Sequence, residues 1–138
     1  GSNNSFLFLP RLGEPTEAMT VADLDIDDLV ERMDLEDEED VREVVGFFLE
    51  AAAPRLVDLQ SAIAAGDQAN TRHHAHAAKG AAKSVGAGVL ADHLIAIETA
   101  LATSDWPEIE SRGALLLSSL AQVEETLATW IPNFEPVK

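Results

Sequence analysis

Three of the chain's four histidines, His73, His74 and His76, fall within four consecutive residues. They lie in a stretch, Gln68 to Ala91, that holds no Asp or Glu, although 25 acidic residues occur among the 138. Arg72, Lys79 and Lys83 give that stretch +3 on a chain whose total is −16, so the remainder carries −19. At about 100° per residue on a helix, Arg72, His76, Lys79, Gly80 and Lys83 lie within about 60° of one meridian. An ordinary imidazole titrates near ~6.5, so a neutral, nucleophilic nitrogen is well populated at neutral pH. Cations one turn away stabilise the negative charge spread over a phosphoryl group in transit. These residue types at this spacing suit reversible capture of a phosphoryl group on His76, with Lys79 stabilising its charge. Gly80 stands one turn after His76, where a helix-interior glycine costs ~1 kcal/mol relative to alanine. A steric reason is expected: a side chain at 80 would crowd the imidazole, and its absence gives the incoming group access.

Other chemistries are weaker. His73 and His76 also have a helical metal-ligand spacing, but no carboxylate on that helical face completes a set, and no metal site is expected. His73 is expected at the surface, where it, Arg72 and Lys83 would steer or dock an acidic partner. His74 projects toward the core side, and His93 carries no assignment. The acidic run Glu36 to Asp40 lacks the glycine and ligand spacing of a calcium loop and reads as a solvated helix start.

The elements that must position these groups are helices. Asp25 can cap a short helix carrying Leu29, Val30 and Met33 on one face. A long helix follows from about Asp37 to Ala65, with Val41, Val45, Phe48, Ala52, Leu56, Leu59 and Ile63 among its apolar positions. Gly46 and Pro54 interrupt the pattern, and Pro54 is expected to kink the helix without ending it. Asp67 can cap a third helix, about Gln68 to Val85, on which Ala78, Ala81, Ala82 and Val85 oppose the His76 face. Gly86 and Gly88 break the chain. A fourth helix spans about Val89 to Thr103 with Leu90, Leu94, Ile97 and Leu101 inward. Ser104 or Asp105 caps a fifth, about Trp106 to Trp130, with Pro107 in its first turn and Leu115 among its apolar positions; Pro132 prevents continuation. Short links make neighbouring helices antiparallel. The expected fold is therefore all-α: an antiparallel up-down-up-down four-helix bundle with a short additional N-terminal helix. Residues 1–20 read as a tag scar (Gly1-Ser2) and an N-terminal tail or packing arm, and 21–138 as one helical bundle domain.

Bulk properties narrow the partners. A net charge of −16 disfavours nucleic acid and anionic membranes, both polyanions. No apolar run approaches the ~18 residues of a membrane span. With no cysteine there is neither a disulfide framework nor a thiol nucleophile, which is compatible with the cytoplasm. Polar outer faces suggest a monomer.

On the third helix the run from His76 to Ala87 resembles the signature of histidine-containing phosphotransfer (HPt) domains, His-x-x-Lys-Gly with a second Gly-Ala pair, Gly86-Ala87, beginning ten residues after the histidine. Phe48-Leu49-Glu50 through Gly66-Asp67 resembles the preceding helix and turn of that family, and Leu90, Ile97 and Glu98 fall where it places leucine, an aliphatic residue and glutamate. The resemblance covers about Asp25 to Trp130. It implies a phosphorelay intermediate in two-component signalling, a phosphocarrier without its own ATP-binding or kinase domain. His76 would be the phosphoacceptor, exchanging with aspartates of response-regulator receiver domains downstream of a sensor histidine kinase. No cofactor of its own is implied, the Mg²⁺ belonging to the receiver. Lys83 departs from the family pattern, in which that position is usually small, and adds charge to the docking face; Ala78, Ala81 and Ala82 also depart from the commoner residues. Two other readings share the pattern: a phosphoacceptor domain cut from a larger histidine kinase, and a non-phosphorylated helical adaptor that binds receivers.

Overall fold

Aspartate side chains start four of the helices in the computed structural model, which describes residues 22–130. Asp25, Asp37, Asp67 and Asp105 each accept a hydrogen bond from the backbone N–H three residues on, at 3.1, 2.9, 3.1 and 3.3 Å. Each bond satisfies a donor that the first helical turn leaves unpaired. They open α1 (Ile26–Met33), α2 (Glu38–Ala64), α3 (Gln68–Val85) and α5 (Trp106–Gly113). Between the last two lies α4 (Gly88–Ala102), and α6 (Leu116–Trp130) ends the described chain. The acidic run serves as expected: Asp37 is the cap of α2, and Glu38, Glu39 and Asp40 fill its first turn, where the helix dipole favours negative charge. α2 runs unbroken through Pro54. The expected tail at residues 1–20, and Pro132, lie outside the described residues.

The fold is an all-α bundle, with no strand among the described residues. Helices α2, α3 and α4 pack in sequence, and α5 with α6 supplies the fourth rod against α4 and α2. Leu56, Leu59, Leu90, Leu94, Ile97, Leu101, Ile109 and Leu116 are fully enclosed at its centre.

That fourth rod differs from the single helix expected over Trp106 to Trp130. It breaks at Ala114-Leu115. Gly113 is buried against α2 so closely that a Cβ there would stand 2.8 Å from Ile63 Cδ1. Gln60 Nε2 donates to the Gly113 carbonyl at 2.9 Å, an acceptor that an unbroken helix would give to the N–H four residues on. The break turns Leu115 outward, 43% exposed rather than in the core. Met33, at the end of α1, is likewise 44% exposed instead of sharing the inward face with Leu29.

α1 is tied to the far end of α3. Asp25 N–H donates to Gly86 O at 3.0 Å, Val89 N–H to Ala22 O at 3.1 Å, and Arg32 Nη2 to Ser84 O at 3.1 Å. Leu24, Ile26 and Leu29 are buried beneath these bonds. Gly86 closes α3 in the left-handed region, φ +81, and a Cβ there would meet Asp25 O at 3.3 Å. The glycine is thus required twice, for its backbone angle and for the approach of α1.

Candidate functional site

Helix α3 buries Thr71, Ala75, Ala78, Ala82 and Val85 along one face. The small alanines let it lie close to its neighbours while the opposite face stays wet. Ala81, expected with the inward set, is exposed: it lies about 80° round the helix from the middle of the buried stripe, beyond its Val85 edge. His76 projects from the outer face with its side chain 73% exposed.

The ring is held from the neighbouring helix. Glu98 of α4 reaches across, and its Oε2 lies 2.9 Å from His76 Nδ1 while its Oε1 lies 2.6 Å from Lys79 Nζ. Lys79 and Glu98 are half-buried, at 24% and 21% side-chain exposure. Burial pushes the Glu98 carboxyl up, but the hydrogen bonds from Lys79 and His76, and their charges, outweigh it and hold the group below the usual carboxylate range. Glu98 is therefore ionised at neutral pH, and a ring nitrogen facing an ionised carboxylate carries the proton. In the neutral ring Nδ1 is therefore the nitrogen placed to donate to Glu98, and Nε2, with no partner among the described residues, is the one left with the lone pair.

Two features of the site were not foreseen. Lys79 is already paired, its ammonium on Glu98. The strip around His76 is also not wholly basic, because a carboxylate from the next helix stands within it. Sequence reasoning placed Glu98 in the pattern but not in the site. A signal existed: α3 and α4 form an antiparallel pair about a short turn, and Glu98 stands as far after Ala87 as His76 stands before it. Residues equidistant from such a turn face one another.

Gly80 also differs in detail. A Cβ there would meet nothing within 4 Å, so it would not crowd the imidazole as expected, and no packing within the chain demands glycine. The surface beside His76 is simply left open.

The remaining candidates surround this centre. Arg72, His73 and Lys83 are exposed. Lys83 edges a depression of about 420 Å³ that Asp92 and Ile95 of α4 also line. His74, as expected, faces inward and is half-buried, within 3.2 Å of Arg55 Nη1 of α2. His93 takes a similar role on α4, its Nδ1 3.0 Å from Arg112 Nη1 of α5. Among the described residues no group of His, Asp and Glu is arranged to hold a metal ion, and no helix is long and apolar enough to cross a membrane.

Residues 43–128, well over half of the chain, match the family model of the Hpt domain. The chain belongs to the Hpt family. A solved Hpt structure, histidine-containing phosphotransfer protein B from Pseudomonas aeruginosa PAO1, superposes with a TM-score of 0.70 at 22% identity, covering 84% of this chain and 100% of that one. At that identity the likeness establishes a shared fold. No curated protein sequence matches this chain. The Hpt match begins within α2 and ends within α6, so α1 lies outside it while the helix bearing His76 lies at its centre. Hpt domains are phosphotransfer intermediates of two-component signalling, carriers rather than kinases.

Proposed function

We propose that His76 is the phosphoacceptor of this Hpt domain, taking its group from a receiver-domain aspartate and passing it to another receiver. The observation that carries the reading is the exposed imidazole with Nδ1 on Glu98 and Nε2 without a partner among the described residues. The Nε2 lone pair attacks the phosphorus of the aspartyl phosphate, the P–O bond breaks, and the aspartate carboxylate leaves. The ring becomes a phospho-imidazolium whose Nδ1 proton stays on the Glu98 hydrogen bond. Return transfer then expels a neutral imidazole, a far better leaving group than an imidazolate. Lys79 stabilises the charge on the phosphoryl oxygens. Gly80 leaves room for the receiver's active site, and Arg72, His73 and Lys83 attract its acidic rim. The receiver brings the Mg²⁺. The cytoplasm, where receivers and kinase domains meet, is the proposed location.

The test is to incubate the protein with radiolabelled phosphorylated receivers from the same organism, beside His76→Gln. Acid-labile, alkali-stable label is expected on the wild type alone. Equal labelling of both proteins refutes the assignment.

A further inference from the structure

One ammonium is claimed by two anions at this site. Lys79 Nζ rests on Glu98 Oε1 at 2.6 Å. A phosphoryl group on Nε2 would stand across the ring from Glu98, one helical turn from Lys79. It would carry close to two negative charges where the carboxylate carries one. Glu98 cannot follow the lysine, since the buried Leu94, Ile97 and Leu101 of the same helix fix α4 in the core. Among the cations of α3, Lys79 is the one seated on Glu98; Arg72 stands exposed a turn before His76 and Lys83 exposed two turns after it.

We propose that phosphorylation of His76 draws Lys79 from Glu98 to the phosphoryl group, and that Glu98, by competing for Lys79, sets the equilibrium at which the carrier surrenders its phosphoryl group. The proposal rests on the phosphocarrier reading. Its physical content is a balance. Lys79 stabilises phosphohistidine only to the extent that its bond to the phosphoryl group exceeds the ion pair it must give up. A lysine without that rival would hold the group more tightly and leave a poorer donor. Glu98 acts on the equilibrium through Lys79 and on the ring through Nδ1, and the two actions separate experimentally. A contact that merely positions the ring changes forward and reverse rates together, whereas competition for Lys79 shifts the ratio of phosphorylated to free carrier.

Phosphoramidate serves as a donor independent of any receiver. Its N–P bond breaks, ammonia departs, and the Nε2 lone pair forms the new P–N bond. The full chain is equilibrated with phosphoramidate and ammonium at a fixed ratio, and phosphohistidine is read by phosphorus NMR with His76→Gln as the blank. Glu98→Gln keeps an oxygen to accept from Nδ1–H but removes the charge that retains Lys79. It is expected to raise the phosphorylated-to-free ratio about five-fold, the weight of one half-exposed ion pair. In a Lys79→Met background the same substitution should leave the ratio unchanged within about two-fold. No rise, or an equal rise in both backgrounds, overturns the proposal. Should Glu98→Gln lose helical signal, Glu98→Asp, which withdraws the carboxylate by one methylene, is expected to raise the ratio to an intermediate value, and an unchanged ratio overturns the proposal. Wild type indistinguishable from the His76→Gln blank defeats the phosphocarrier reading itself, a different outcome from a labelled His76 whose equilibrium ignores Glu98.

Discussion

Replacing Gly80 with alanine should make this protein more stable and a worse carrier. The residue lies inside α3 with a negative φ, since Gly66 and Gly86 are the glycines with positive φ among the described residues. A Cβ there meets nothing within 4 Å. The substitution thus gains helix propensity and loses no packing, about 0.5–1 kcal/mol in favour of the folded state. For a chain of this length that corresponds to a rise of roughly 2–4 °C in Tm. Transfer should move the other way. The methyl stands one turn from His76 on the face a receiver must approach, and displacing the reacting atoms by a fraction of an ångström is enough to slow in-line transfer by about ten-fold. Gly46 provides the control, because it too is mid-helix, without positive φ, with nothing within 4 Å of an added Cβ, and it lies on α2. Gly46→Ala should gain similar stability and leave transfer unchanged. Thermal unfolding by circular dichroism and single-turnover transfer from a phosphorylated receiver measure the two effects. A Gly80→Ala protein that is stabilised and transfers at the wild-type rate would refute the access argument. One that is destabilised would refute the claim that the site is open.

The Thr71 hydroxyl is fully buried without a hydrogen-bond partner, so Thr71→Val should stabilise the bundle by about 1 kcal/mol, read as a higher urea midpoint at unchanged slope. A lower midpoint would show that the hydroxyl has a partner. His93 gives a pH dependence. Burial and the Arg112 guanidinium hold its pKa below that of an ordinary histidine, against an opposing pull from Asp92. The unfolded ring protonates near ~6.5 while the folded ring resists, so the unfolded chain binds more protons below that pH and stability falls as pH drops toward the folded pKa. The stability difference between wild type and His93→Gln, from urea midpoints at pH 7.5 and 5.5, should shift against the wild type at the lower pH; a constant difference would remove His93 as the cause.

What could be read from the sequence was what is decided locally. The caps at Asp25 and Asp67 were legible, and that of the fifth helix to within Ser104 or Asp105, because a side chain bonding three residues along its own chain needs nothing else. The exposure of His76 and the inward turn of His74 followed from helical period alone. The break after Gly113 was not legible, because its causes, Gln60 and Ile63, belong to another helix. For the same reason the apolar period of residues 106–130 promised one continuous rod. The pairing of Lys79 was hidden because its partner lies on α4, and spacing along α3 cannot report it. Gly80 was assigned a steric purpose, but the space it leaves is outside the chain, where sequence periodicity carries no information.

The bonds from α1 to the end of α3 bear on how the molecule can be cut. The family match starts at residue 43, and a fragment begun there would keep His76, Lys79 and Glu98. It would also lose the Asp25 N–H on Gly86, the Ala22 carbonyl on Val89 and the Arg32 guanidinium on Ser84. Leu24, Ile26 and Leu29 would go with them, and the core surface they cover would be laid bare at the turn from which α3 and α4 diverge. That turn sets the register that brings Glu98 opposite His76. A minimal fragment that retains the site therefore begins at Ala22, some twenty residues before the recognisable family sequence.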